Sequence, residues 1–279
     1  MNSLKIIQVE ELSFSQIEAL DKNRLVMFIP ISPLEEHGPH LPVGTDLLTS
    51  GDAARQAIMS LYQSKQDISA VLYPRIPLGY TKMADCFAGT VSSKPSVVKS
   101  VVSDVISSFA RYGVKFFVVC TFHMDLGHLK GIYAAKNKMM RSYDVKVVEP
   151  WGPYFFGKTV EQREPKVGFD TKKEVHACFR ETSLMKYQYP YLVDKNHTQL
   201  QNIYRDLYSA RYVGKTFKDI GISEGYVGSP ARADSDYGRW YFQQIVDCYV
   251  SAAVDMVDGK DAEPLPKHIQ RMMKSLFWL

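Results

Sequence analysis

Two short stretches constrain this chain more than anything else in it. "RLVMFIPIS" (Arg24 to Ser32) and "VKFFVVCTF" (Val114 to Phe122) are continuous apolar runs rich in β-branched and aromatic residues. A strand with one wet face alternates apolar and polar residues, so an unbroken run needs cover on both faces. "AVLYPRIPLG" and "DVKVVEPWG" read as further strands, each stopped by Pro and Gly. Helical periodicity fills the intervals. "TDLLTSGDAARQAIMSLYQSK" follows the first run, with Thr45 or Asp46 placed to cap it. "KPSVVKSVVSDVISSFARYG" ends at Gly113, a good C-cap. "LGHLKGIYAAKNKMMRSYD" follows the second run, and "SDYGRWYFQQIVDCYVSAAVDMVDGK" reads as a long amphipathic helix stopped by Gly259. Strands alternating with helices predict an α/β fold, three layers α/β/α with a central, mostly parallel sheet.

A chain of 279 residues, 46% hydrophobic, buries a sizeable core without staples. No repeat or low-complexity linker divides it, so a single domain over residues 1–279 is expected. The stretch from Trp151 to Glu174 has weak periodicity and several Gly and Pro, and is expected to run over the surface as a long excursion. The net charge of +4 is spread out, with no block long enough for a nucleic-acid arm. No apolar run approaches the length of a membrane span, and "MNSLKIIQVEELS" lacks the form of a secretory signal. Cys86, Cys120, Cys178 and Cys248 are widely spaced, without a Cys-x-x-Cys pair, which argues against a zinc knuckle. A cytoplasmic protein with no nucleic-acid or membrane partner is the expectation.

The chemistry gathers where the two apolar runs end. The first delivers the chain to "LEEHGPHLPVGTD" (Leu34 to Asp46), whose Pro and Gly residues keep it from becoming a helix. Residues two apart in extended backbone face the same way, so Glu35 and His37 can enter one site. The second run ends in His123 and Asp125, which repeat that spacing. Sites in open α/β sheets collect beyond the carboxyl ends of strands. Imidazoles with carboxylates suit zinc, manganese or iron. Glu35, His37, Asp46, His123 and Asp125 are more ligands than one tetrahedral metal needs, but they suit two metals bridged by Asp46. The alternative is that they are loop polars capping helices and turns. "EVHACFRETSLM" adds His176 and Glu181 in a segment expected to start extended and turn helical near Thr182-Ser183, where Glu181 reaches a metal or completes a cap.

These residues carry a family resemblance. "ISPLEEHGPHLPVGTD" resembles the pattern of the creatininase (creatinine amidohydrolase) family, close to Glu-Gln-His-Gly-Pro-His-Leu-Pro…Thr-Asp. "EVHACFRETS", "YVGSPARADSDYGRWYF" and "LYPRIPLGY…FAGTV" resemble its other blocks, and together they cover roughly residues 24 to 255. The first block is highly specific. The resemblance implies a dinuclear metal centre, hydrolysis of a small cyclic or linear non-peptide amide, and a homo-oligomer, often a hexamer. Residue by residue, Glu35, His37, Asp46 and His123 match metal ligands, with Asp46 the bridge. Asp125 sits where creatininase has a Glu ligand, one methylene longer. Glu181 matches a ligand or ligand support, and His176 a proton-handling His. Glu36 stands where Gln is usual, "TFHMDLGH" replaces Asn-Gly-His-Gly-Gly-Asn, Ala84-Asp85 replaces Glu-His, and Cys178-Phe179 replaces Gly-Glu. These departures bear on the substrate more than on the metals.

The expected mechanism uses two divalent ions, zinc first with manganese or iron as alternatives, to activate a water against a carbonyl. His176 or Asp125 passes a proton to the leaving nitrogen, with Glu181 beside them, and Trp151 and Tyr154 close over the small-molecule substrate. Hydrolysis of a lactone or cyclic ketone, and a non-catalytic binding protein on the same fold, are the competing readings. His40 is expected to orient a ligand, and His128, His197 and His268 to lie at the surface or at helix ends.

Overall fold

The computed structural model describes residues 6–65, 67–207, 210–212 and 214–276; the first five residues of the N-terminal stretch read for a secretory signal lie outside them. In chain order the elements are β1 (Ile7–Gln8), α1 (Phe14–Ala19), β2 (Leu25–Ser32), α2 (Thr45–Ser64), β3 (Ser69–Leu72), β4 (Ile76–Pro77), α3 (Pro95–Ala110), β5 (Phe116–Cys120), α4 (Leu126–Ser142) and β6 (Lys146–Val148). There follow α5 (Trp151–Phe156), α6 (Thr159–Arg163), α7 (Phe179–Gln188), α8 (Ser235–Val257) and α9 (Lys267–Ser275). The strands lie in the order β1-β3-β2-β5-β6, with β4 beside the end of β2, and every pairing is parallel.

The apolar runs become strands for the reason their composition gives. All eight residues of β2 are buried. Val26 and Phe28 pack under α2 and α8 with Val118 and Cys120 of β5. Leu25, Met27, Ile29 and Ile31 pack on the other face against α3 and α4. Helices therefore cover both sides of the sheet, as the three-layer reading requires. Gly113 closes α3 at φ +91°, a left-handed conformation that glycine adopts without a Cβ penalty, and lets the Val114 amide return to the Phe109 carbonyl at 3.3 Å.

Four local readings are corrected. The stretch "AVLYPRIPLG" forms two short strands, because Pro74 interrupts the ladder between β3 and β4. Gly44, not Thr45 or Asp46, occupies the N-cap of α2, and those two side chains are turned elsewhere. Helix α7 starts at Phe179, so Glu181 lies within its first turn rather than before it. The stretch from Trp151 to Glu174 is not a surface excursion at its start: it folds into α5 and α6, and Trp151 is fully buried in the core beside Phe122 and Tyr241.

Parallel register then positions the chemistry. Pro30 of β2 lies opposite Cys120 of β5. The next residues, Ser32 and Thr121, meet at 3.2 Å through their hydroxyls. The two strands thus release the chain side by side, and Glu35 and His123 follow from adjacent strand ends.

One buried carboxyl under α5 makes the core pH-sensitive. Glu149 accepts from the Gly152 amide at 2.9 Å and from the Tyr133 hydroxyl at 3.2 Å. Burial pushes its carboxyl up from 4.5 to about 7, against the opposing pull of those bonds and of Lys136. Below pH 4.5 the group is neutral folded or unfolded; as pH rises toward 7 the unfolded chain ionises first, and stability falls by up to about 3 kcal/mol. Replacing Glu149 by Gln is expected to move the melting temperature in the variant's favour between pH 5 and pH 8. A difference from wild type that stays constant over that range would show that Glu149 does not titrate as described.

Candidate metal centre

The loop after β2 is stiffened so that its polar side chains turn inward. Gly38 takes φ +66°, and a Cβ there would stand 2.9 Å from His40 Nδ1. Glu35 and His37 are buried, at 3% and 1% exposure. The His37 Nδ1 lies 2.9 Å from the Glu35 carbonyl, to which it donates its proton. That bond fixes the ring and turns Nε2 inward as a lone-pair donor. His123 is held the same way from β5: its Nε2 donates to the Tyr80 carbonyl at 2.9 Å, and Nδ1 faces the site.

Asp46 stands between them in the first turn of α2. Its Oδ1 is 3.3 Å from His37 Nε2, and its Oδ2 is 3.0 Å from His123 Nδ1. Glu35 Oε2 is 2.9 Å from His123 Nδ1, while Thr81 donates to Glu35 Oε1. Glu181 Oε2 reaches to 4.0 Å from His37 Nε2. Three sets of donor atoms lie close enough to hold a cation: Glu35, Asp46 and His123; His37, Asp46 and Glu181; and Glu35, His37 and His176. The first two share Asp46.

The electrostatics describe a site that attracts positive charge. Burial opposes a charge on His37, but Asp46, Glu181 and Glu35 outweigh it and raise the imidazole to about 10. His123 is likewise raised well above its ordinary value by Glu35 and Asp46, against burial. Burial works against ionisation of Asp46 and Glu35, yet the neighbouring imidazoles hold both below the usual carboxylate range. Glu181 goes the other way, raised by burial and by the nearby Asp46 and Glu35 charges. Glu181 Oε2 is buried without a hydrogen-bond partner, and Glu35 Oε2 and His37 Nε2 meet only the other ionisable groups of the cluster. Buried polar atoms are rarely left so, and here they converge with the chemistry of a divalent-metal donor set, which they fit.

Other expected residues fall into place differently. His176 sits beside His37 with ring centroids 4.6 Å apart, and its Nε2 donates to the Glu36 carbonyl at 2.9 Å. Asp125 borders the same cavity but belongs to none of the three donor sets. Its Oδ1 accepts from the Gly127 amide at 2.6 Å and caps α4. Burial raises its carboxyl to about 6, with Glu35 adding and His123 and the Gly127 bond opposing. Trp151 lines the cavity from inside the core. Tyr154 is not among the lining residues; it stacks on Trp151 and donates to Gln244 at 2.7 Å, so it packs helix on helix instead of closing over a ligand.

Sequence reasoning missed several participants. His128 lies in the first turn of α4, a helix end as expected, but is fully buried there, bonds Thr121 and stands edge-on to His123 at 5.3 Å. His197 is also buried, whereas His268 is exposed as expected. His40 touches no candidate ligand; it pairs with Thr182, next to Glu181, at 2.9 Å. Arg180 lies buried along the cavity, paired with Glu164 at 3.1 Å. Its partner is 16 residues away across irregular chain, and no short-range pattern signals such a pair. The cavity above the donor atoms has a volume of about 320 Å³, within the range that takes a small organic ligand.

Comparison with known proteins points to one family. The family model described as "Creatininase: Creatinine amidohydrolase" matches residues 10–253. The creatinine amidohydrolase of Pseudomonas putida is 26% identical over 204 residues, which is 68% of this chain and 75% of that one. A solved structure described as "Creatininase Mn" superposes with a TM-score of 0.68 at 21% identity, covering 91% of this chain and 99% of the other. A mutant creatininase described as "Zn-Zn type" gives 0.66 at 21% identity, with the same coverage.

Saturating zinc or manganese, at about a hundred times Kd, is expected to stabilise the folded chain by about 2.7 kcal/mol per site, read as a rise in melting temperature. The Asp46→Ala variant is expected to lose that rise. A full metal-induced rise in the variant would show that the ion binds elsewhere.

Proposed function

The chain belongs to the creatininase family, and from that premise we propose that it is a metal-dependent amidohydrolase of a small cyclic or linear amide, working through a dinuclear centre. One observation carries the reading: the two oxygens of a single buried carboxylate, Asp46, face histidines from two different strand ends. A carboxylate so placed could serve two ions at once. Glu35, Asp46 and His123 would hold one ion, and His37, Asp46 and Glu181 the other. Zinc is the first expectation, with manganese or iron as alternatives; the solved relatives described by their manganese and zinc forms support the first two. Such ions supply Lewis acidity to a carbonyl and bring the pKa of water towards neutrality.

The chain's own residues do the rest. His37 and His123 are anchored through their outward nitrogens to the Glu35 and Tyr80 carbonyls, so their inward nitrogens cannot swing away. His176, with Nε2 committed to the Glu36 carbonyl, keeps Nδ1 to carry a proton to the leaving nitrogen. Asp125, titrating near 6 at the edge of the cavity, is the other group able to exchange a proton there. Trp151 closes the cavity from the core side. The four thiols are all free, which supports a reducing, cytoplasmic setting. No helix among the described residues is long and apolar enough to cross a membrane. A homo-oligomer follows from the family resemblance alone.

Protein purified without chelator is expected to carry about two equivalents of divalent metal, by elemental analysis. The His176→Gln variant is expected to keep that metal while kcat on an amide substrate falls by about 10² to 10⁴. Turnover of lactones or cyclic ketones in place of amides would reassign the reaction. Metal content near one equivalent would remove the bridge.

A further inference from the structure

The cavity has a wall that the family match does not reach. The match ends at residue 253, inside α8, and α9 lies wholly beyond it. Helix α9 is anchored firmly: Ile269 and Met273 are buried with Leu265 against Leu129 of α4. Lys130 of α4 donates to the Leu276 carbonyl just past its end. So held, α9 packs Met272 on the same apolar cluster as Met124 and Leu126, the two residues flanking Asp125, and Met272, Ser275 and Leu276 line the same cavity as Glu35, Asp46 and His123. The segments that meet here contribute Met124, Leu126, Phe155, Met272 and Leu276 to the lining, with Asp125 and Ser275 as their polar members, and Glu174 and Arg180 border them. Phe155 and Met272 also line an adjoining cavity of about 300 Å³, where Phe156, Val160, Val175 and Ile269 alternate with Lys158, Glu161, Lys172, Glu174, Arg180 and His268. Methionine is unbranched and readily changes rotamer, so a shift of Met272 lengthens the chamber without moving backbone.

A compact polar ring would leave this wall unused. From it we infer that the substrate is an amide bearing an apolar chain or ring of several carbons, and that α9 determines this preference by receiving that group between Met272 and Met124. The inference rests on the amidohydrolase reading and adds to it the substrate class. An apolar group buried there gains affinity with each methylene removed from water, while the donor atoms at the floor see only the amide.

Binding tests this apart from turnover. Alkyl hydroxamates present an amide-derived head that chelates a divalent ion, joined to a chain of chosen length. Titration calorimetry on the metal-loaded protein would compare acetohydroxamate, hexanohydroxamate and octanohydroxamate. Affinity is expected to rise by roughly fourfold per buried methylene until the chamber is full, and at least about tenfold over the series. The octano-to-aceto ratio is expected to collapse toward one in Met272→Glu, and also in Met272→Trp, which fills the chamber without introducing charge. Equal affinity for all lengths in the wild type would overturn the inference and leave the amidohydrolase reading standing. A ratio that survives both variants would overturn the role of α9. A protein that takes up no metal and binds no hydroxamate would overturn the proposed function itself.

Discussion

The structure depends on how one buried carboxylate is neutralised. Asp46 is only 2% exposed. An ionised carboxylate at such depth costs several kcal/mol unless oppositely charged or hydrogen-bonding groups meet it. His37 and His123 meet it, one at each oxygen. They arrive from the carboxyl ends of β2 and β5, and they can do so because those strands are direct neighbours in parallel register. The demand for two flanking imidazoles is thus also a demand on sheet order. Placing another strand between β2 and β5 would separate the two partners of Asp46.

Rigidity around the cluster has several independent sources. Each inward-facing imidazole is tied by its second nitrogen to a backbone carbonyl rather than to another side chain. Backbone anchors do not change rotamer, so the donor directions are set by the fold. Gly79 adds a steric limit, since a Cβ there would fall 2.5 Å from Pro33. The loop carrying the Tyr80 carbonyl therefore lies directly on the loop that carries Glu35 and His37. Such preorganisation lets a site hold divalent ions without reorganising at the moment of reaction.

What the sequence made legible follows the range of the physical signal. Strand identity was readable because two-sided burial writes an unbroken apolar run, as in β2 and β5. The grouping of Glu35, His37, Asp46 and His123 was readable because alternation along extended backbone is strictly local. Asp125 shows where that logic stops. Its spacing from His123 matched a ligand pair, but helix α4 begins at the next residue, and a short carboxylate at a helix N-terminus is drawn to the unpaired Gly127 amide. Tyr154 was misread because its surroundings come from remote chain, Gln244 of α8. The Arg180–Glu164 pair was invisible for the same reason.

Floor and wall of the cavity therefore have different origins, and this bears on how one reaction centre serves more than one substrate. The floor is made by strand ends, whose geometry the whole sheet maintains; changing it disturbs the core. The wall near Met272 is made by a short helix that rests on α4 through Leu265, Ile269 and Met273. Its cavity-facing residues can change without touching the sheet, because the side chains that anchor α9 are not the ones that face the ligand. The departures from the family pattern at Glu36, Asp125 and Cys178 surround the donor set itself, whose four residues that match metal ligands remain Glu35, His37, Asp46 and His123.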